Sequence, residues 1–141
     1  MKFKYRYVRD KYTEEKLARL PFLPIRLAYG DRETAIVGLI DTGATDCLFD
    51  CDVAEDLGID IRDTPLVKDY FGIDGQSIPG YVHTVDFQIQ GFSEWIEVNA
   101  GFLESRLPYP LLGQNDFFDN YEITLRRYRG RFEVRSRTHL R

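Results

Sequence analysis

The fold of this chain is constrained most by residues 21–44, whose sequence is PFLPIRLAYGDRETAIVGLIDTGA. Two runs rich in Ile, Val, Leu and Tyr flank Gly30-Asp31, which is the pattern of a β-hairpin. Residues 35–40 are almost entirely apolar, so the second strand is expected to be buried as far as Asp41. This acid therefore leaves a buried strand and begins a tight Thr42-Gly43-Ala44 bend.

On the residues alone, the role of Asp41 is open. Most Asp residues before Gly bond nearby backbone N–H groups in a turn, and spacing alone favours that structural role. An acid that emerges from a buried strand beside a hydroxyl and a glycine is instead expected to have a pKa set by its environment, as functional carboxylates do. A phosphate loop of the actin-like ATPase kind is excluded, because the chain is too short for two lobes and has neither a GxxxxGK loop nor a Rossmann glycine pattern.

The rest of the chain predicts short strands with little helix. The loop GIDGQSIPG contains three glycines and a proline, and we expect it to be mobile. Helical turns are predicted in TEEKLARL after Thr13, in DCDVAEDLG up to Gly58, and in QNDFFDN. The predicted fold class is all-β with short helices. Further strands are predicted at residues 66–71, 81–90, 95–98, 121–125 and 132–134.

Composition limits the class of protein. A chain of 141 residues with 43% apolar and 30% charged residues is expected to form one globular domain. It has no apolar run of the ~18–20 residues that a membrane span needs, and its first ten residues lack a secretory pattern, so we expect a soluble, cytoplasmic protein without a membrane partner. Cys47 and Cys51 are expected to be free thiols, and His83 and His139 are given no role. No metal and no cofactor are expected.

Charge is distributed unevenly along the chain. Residues 1–20 carry seven Lys and Arg against three acids, residues 126–141 carry seven against one, and the middle carries five against nineteen. Basic ends can bind nucleic acid. The segment RRYRGRFEVRSR is also typical of a short hairpin whose Arg side chains are solvated or docked on the same chain. We favour the hairpin and expect no nucleic-acid partner.

Three motifs in this order resemble the signatures of retropepsin-like aspartic proteases: LIDTGAT, the flap-like GIDGQSIPGYVH, and YPLLGQNDFF. The resemblance covers about residues 21–125 and is closer to the cellular DNA-damage-inducible type and its bacterial relatives than to any one viral enzyme. It implies the acid protease fold, a closed β-barrel-like structure with short helices. Residues 1–20 are then a basic N-terminal extension, and residues 126–141 an Arg-rich C-terminal hairpin or tail.

The resemblance also implies a mechanism that needs two carboxylates sharing one proton. The chain contains no second Asp-Thr-Gly or Asp-Ser-Gly, so the missing acid is expected from a second copy, with Asp41 beside the partner subunit's Asp41 across a two-fold axis. The predicted function is that of an aspartic endopeptidase which acts, as a homodimer, on a peptide or protein. The alternative is a protease-fold dimer that binds peptides with little or no turnover.

Matching the motifs residue by residue assigns roles. The resemblance implies that Asp41 is the catalytic acid and that Thr42 and Gly43 support its loop. The segment Leu111, Leu112 and Gly113 packs beneath that loop, or is plain core. Contacts with the substrate are expected from Ala44, Thr45, Asp46, Ile73, Asp74, Gly75 and Ile78.

Two departures from the family pattern matter. Retroviral members commonly have an acid where Thr45 stands and an arginine where Gln114 stands, and the loss of both charges together predicts a neutral arrangement. Asp74 occupies a flap position that is usually small or apolar. It is either a specificity determinant that favours basic substrates or a solvent-facing turn residue.

Overall fold

The computed structural model describes residues 1–7, 9, 13–15 and 18–139 of the chain. Within this part, the strands form a seven-stranded sheet and a separate three-stranded sheet. The larger sheet has the order β2-β3-β8-β4-β7-β6-β5. The strands are β1 (Lys2–Lys4), β2 (Phe22–Tyr29), β3 (Arg32–Ile40), β4 (Leu48–Phe49), β5 (Val67–Phe71), β6 (Ser77–Ile89), β7 (Ile96–Leu103), β8 (Leu111–Leu112), β9 (Tyr121–Arg126) and β10 (Arg131–Ser136).

The larger sheet closes on itself, because β2 pairs with β3 on one edge and with β6 on the other. This closure gives the barrel-like all-β fold that the sequence predicts. Its interior holds one apolar cluster in which the rings of Phe49, Phe87 and Phe102 are fully buried. Strand β5 lies outside the closure and pairs with β6 in a hairpin. The β5–β6 hairpin, residues 67–80, therefore projects from the barrel.

The hairpin of β2 and β3 confirms the prediction made from residues 21–44. Tyr29 pairs with Arg32, and Gly30 in the turn between them has a φ of 59°. Residues with a Cβ atom are strained at positive φ, so a glycine suits this turn. The end of β3 pairs in parallel with β8, with Ile40 opposite Leu112. This pairing brings the YPLLGQ motif next to the strand that leads into Asp41.

Helix α1 (Cys51–Leu57) follows β4 and confirms the predicted turn of helix up to Gly58. The side chain of Asp50 accepts hydrogen bonds from the N–H groups of Asp52 and Val53, which caps the first turn. Gly58 ends the helix in the left-handed region with a φ of 67°. Shorter helical turns lie at Arg127–Arg129 and Arg137–His139. The segment Gln114–Phe118, where a helical turn was predicted, is interrupted at Asn115 and at Asp116, which has a φ of 68°.

The three-stranded sheet joins the two ends of the described chain in the order β1-β10-β9. Phe132 and Val134 on β10 are buried, whereas the Arg side chains at 131 and 135 are exposed. The Arg-rich segment thus docks on its own chain as a hairpin. Whether residues 1–20 and 126–141 are separate units stays a prediction.

The helix predicted after Thr13 is only partly within the described residues. Glu14, Glu15, Ala18 and Arg19 are described and are not helical, and Glu14 has a positive φ of 62°. Lys16 and Leu17 lie outside the described residues. No helix in the described part is both long and apolar enough to cross a membrane.

Candidate active site

Asp41 lies directly after β3, and its backbone is held from below by β8. Its N–H donates to the carbonyl oxygen of Leu112 at 3.0 Å, and its own carbonyl accepts from the N–H of Ala44 at 3.2 Å. The carboxylate atom Oδ1 accepts from the N–H of Gly43 at 2.9 Å. The bend therefore fixes the orientation of a carboxylate that remains partly exposed. The sequence Asp-Thr-Gly gives this geometry because the turn brings the backbone of Gly43 close to the side chain of Asp41.

A cavity of about 580 Å³ opens in front of Asp41. One wall is the loop after β3 with Leu48 and Leu111, and the other wall belongs to the β5–β6 hairpin. The structure thus brings the acid of the first motif opposite the flap-like second motif. The residues that line the cavity are Asp41, Gly43, Ala44, Thr45, Leu48, Asp69, Tyr70, Phe71, Gly72, Ile73 and Leu111.

The tip of the β5–β6 hairpin is a tight turn with apolar side chains outside it. Gly72 N–H donates to the carbonyl of Gln76 at 3.0 Å, and Gly75 has a φ of 80°. Ile73 is fully exposed and Ile78 is exposed. The Asp74 carboxylate accepts from the N–H of Gln76 at 3.0 Å, so it makes a turn contact. Its effect on substrates stays a prediction.

The chain beneath the catalytic loop is the end of β8 and the glycine that follows it. Leu112 and Gly113 are buried. A Cβ atom on Gly113 would lie 2.5 Å from the carbonyl oxygen of Asp46 and 2.6 Å from that of Ala44. This crowding leaves room only for glycine, so Gly113 allows the loop after β3 to pack directly on the chain beneath it.

Gln114 and Thr45 stand where retroviral members have a charged pair, and in the structure the contacts of Gln114 are neutral. Its side-chain amide donates to the carbonyl of Thr42 at 2.8 Å, and its backbone N–H donates to the carbonyl of Ala44 at 2.9 Å. Thr45 is exposed, and its carbonyl accepts from the N–H of Asn115 at 2.8 Å. The amide of Gln114 therefore braces the loop without any charge.

The side chain of Asp46 turns into the protein, and its contact with a substrate stays a prediction. Its side chain is 3% exposed, so it does not line the cavity beside Ala44 and Thr45. Its two carboxylate oxygens are occupied: Oδ2 accepts from Tyr70 at 2.7 Å and from Lys68 at 3.1 Å, and Oδ1 accepts from Asn115 at 2.7 Å. A buried carboxylate is tolerated only when it is paired in this way.

Sequence reasoning did not identify the three partners of Asp46. Lys68 and Tyr70 lie 22 and 24 residues further along the chain, and Asn115 lies 69 residues further. Only Asn115 carries a local signal, because it falls within the YPLLGQNDFF motif. Within the described residues, no three His, Cys, Asp or Glu side chains are arranged to hold a metal ion.

The closed barrel, the bend that holds Asp41 and the hairpin that faces it define the retropepsin-like aspartic protease fold. A family model described as Aspartyl protease matches residues 25–115, and the chain belongs to this family. A search of curated protein sequences found no match.

Two of the solved structures that share this fold illustrate the likeness. One is a retropepsin-like aspartic protease from Rickettsia conorii, with a TM-score of 0.64 and 14% identity over 96% of this chain and 98% of that one. The other is the EIAV protease complexed with the inhibitor HBY-793, with a TM-score of 0.57 and 18% identity over 73% of this chain and 89% of that one. At these identities the likeness concerns the fold.

Proposed function

We propose that the protein is an aspartic endopeptidase and that it hydrolyses peptide bonds as a homodimer. The observation that carries the proposal is the oriented Asp41 carboxylate, which faces a cavity of about 580 Å³ beneath a projecting hairpin. Membership of the aspartyl protease family supports it. The cavity lies between two chain segments, the loop after β3 and the β5–β6 hairpin.

The dimer is required by the chemistry. Hydrolysis by an activated water needs one ionised and one protonated carboxyl group. Two carboxyl groups in contact share one proton, because two negative charges so close together are unfavourable. The sequence supplies one Asp-Thr-Gly. The second acid is the partner subunit's Asp41, brought to the first by a two-fold axis.

Each part of the site then has a task. The ionised carboxylate accepts a proton from a bound water as that water attacks the peptide carbonyl carbon, and the protonated carboxyl group donates its proton to the carbonyl oxygen. Collapse of the resulting tetrahedral species breaks the C–N bond after a proton reaches the leaving nitrogen. Gly43 N–H keeps Asp41 in the orientation that this exchange needs. The β5–β6 hairpin acts as a flap that covers the substrate and excludes bulk water.

The test is cleavage of a mixed peptide library by the purified protein at several pH values, with and without pepstatin. Asp41→Asn is the matched control, because it is nearly isosteric and removes only the titrating group. We expect pepstatin-sensitive cleavage by the wild type and its loss in Asp41→Asn, since acid-base help alone contributes about 10²- to 10⁴-fold. Peptide binding without cleavage at every pH would instead support the binding-module alternative.

A further inference from the structure

The carboxylate of Asp46 joins three segments of the chain that are distant in sequence. Asp46 itself belongs to the loop that carries Asp41, Lys68 and Tyr70 belong to β5, and Asn115 follows β8. The hydrogen bond from the Tyr70 hydroxyl is short, at 2.7 Å, and its acceptor is 3% exposed. Hydrogen bonds to a charged acceptor away from water are stronger than neutral ones. The loop and the hairpin therefore share a buried, charged contact.

Tyr70 is also the one residue of β5 whose side chain is not exposed. Its ring occupies a slot made by two glycines of neighbouring strands. A Cβ atom on Gly80 would lie 2.3 Å from the ring, and one on Gly101 would lie 2.6 Å from the hydroxyl oxygen. The slot and the hydrogen bond together anchor an otherwise solvent-exposed edge strand to the barrel.

The position of this anchor relates it to the active site. The three residues after Tyr70 are Phe71, Gly72 and Ile73, and all of them line the cavity in front of Asp41. At the other end of the hydrogen bond, Asp46 is preceded by Ala44 and Thr45, which line the opposite wall. The contact therefore lies at the base of both walls and sets the distance between them.

We propose that Tyr70 is a positioning residue, whose hydroxyl ties the β5–β6 hairpin to the catalytic loop through Asp46 and so limits how often the hairpin opens above Asp41. This inference rests on the proposed peptidase function for its kinetic consequence. Its structural content, that the Tyr70 hydroxyl contributes to holding the hairpin closed, does not depend on activity. A more open hairpin would weaken substrate binding more than it would slow the chemistry of bound substrate.

The tie depends on the charge of Asp46, and this gives it a pH dependence. The groups that face Asp46 are Lys68 and Tyr70 from β5, Asn115 after β8, and Cys47 beside it, whose thiol also interacts with Asp116. Burial raises the pKa of Asp46, but the hydrogen bonds from Asn115, Tyr70 and Lys68 outweigh it, so the pKa is below its usual value. The tie is present above this pKa and is lost as pH falls through it. Without the Tyr70 hydroxyl the pKa of Asp46 rises, so the remaining contact between Lys68 and Asp46 is lost at a higher pH than in the wild type.

Amide hydrogen exchange in residues 67–80 tests the tie directly. Tyr70→Phe removes the hydroxyl and leaves the ring in its slot, and we expect about ten-fold faster exchange in the hairpin, the scale of one hydrogen bond to a charged group. Tyr121→Phe is the matched control, because Tyr121 is buried and its hydroxyl has no hydrogen-bond partner in the described part of the chain. The control should leave exchange in the hairpin unchanged.

Kinetics supply a second readout. Tyr70→Phe should raise KM about ten-fold with a smaller change in kcat. KM should also increase as the pH is lowered, and in Tyr70→Phe this increase should begin at a higher pH than in the wild type. Lys68→Met should act in the same direction but more weakly, because Lys68 is 43% exposed.

Equal hairpin exchange in the wild type and Tyr70→Phe would overturn the inference, whatever the peptidase assay gives. If Tyr70→Phe does not fold, unchanged exchange in Lys68→Met would overturn it. Faster exchange in a protein that cleaves no peptide would count against the proposed function alone.

Discussion

Replacing Gly113 by Ala is expected to displace the catalytic loop. The backbone of Gly113 has a φ of −112°, which any residue adopts, so the added methyl group acts only through its contacts. It would meet the carbonyl oxygens of Asp46 and Ala44 at 2.5 and 2.6 Å. Because these are backbone atoms, no side-chain rotation relieves the overlap. The loop of residues 44–46 must move away from the segment beneath it.

The size of the movement follows from the same distances. Ordinary van der Waals contact begins at 3.4 Å, so the oxygen of Asp46 must retreat by about 0.9 Å from its present 2.5 Å. A misplacement of about 1 Å at a catalytic site costs about 10²-fold in rate. Overpacking of a well-packed region also lowers the free energy of unfolding by about 1–3 kcal/mol. We expect kcat/KM to fall about 100-fold, measured beside urea unfolding of the same variant.

Gly38→Ala is the control for a general loss of stability. The three atoms nearest to a Cβ atom there would be side-chain carbons of Leu112, at 2.9 to 3.1 Å, and not backbone atoms of the catalytic loop. It should therefore destabilise the protein while reducing kcat/KM much less than Gly113→Ala. Wild-type kcat/KM in Gly113→Ala, or an equal loss in Gly38→Ala, would refute the reasoning.

Two further predictions concern specificity and pH. Asp74→Asn should raise cleavage of neutral peptides relative to matched peptides with Lys or Arg near the scissile bond. The reason is that a closing flap dehydrates the carboxylate unless a cation meets it. An unchanged ratio of the kcat/KM values for the two kinds of peptide would leave Asp74 as a turn residue only. The pH profile of cleavage should be bell-shaped with an acidic optimum, because a pair sharing one proton works between its two macroscopic pKa values, and a rate that still rises at about pH 8 would contradict this.

The strands of the barrel are predictable because their pattern is local. Residues 85–89 alternate between apolar and polar types, and the structure buries Val85, Phe87 and Ile89. Strand β1 was not predicted. It has three residues, and Lys2 pairs with Glu133 from the other end of the chain, so no pattern within MKFKYRYVRD specifies it. Where pairing is this distant, neighbouring residues carry no signal.

In the candidate site, too, features set by adjacent residues were predictable and features set by distant contacts were not. The position of Asp41 at the end of a buried strand was predicted because a strand, an acid and a glycine bend are adjacent in sequence, whereas its catalytic role was implied by the resemblance of the three motifs. The orientation of Asp46 was not predicted, because its sequence position, beside residues that line the cavity, does not reveal that its carboxylate turns inward. What holds it there comes from β5 and from the segment after β8. Contacts made by tertiary structure decide the orientation of such a residue, and the sequence nearby does not.

The central claim is that one active site uses Asp41 from each of two subunits. Mixing wild-type and Asp41→Asn chains tests it most directly, with the two forms unfolded and refolded together so that subunits exchange. If two Asp41 residues are needed, activity at a fixed total chain concentration falls as the square of the wild-type fraction, because only dimers of two wild-type chains cleave. Activity that falls in direct proportion to the wild-type fraction would show that each chain works alone and would contradict the shared site.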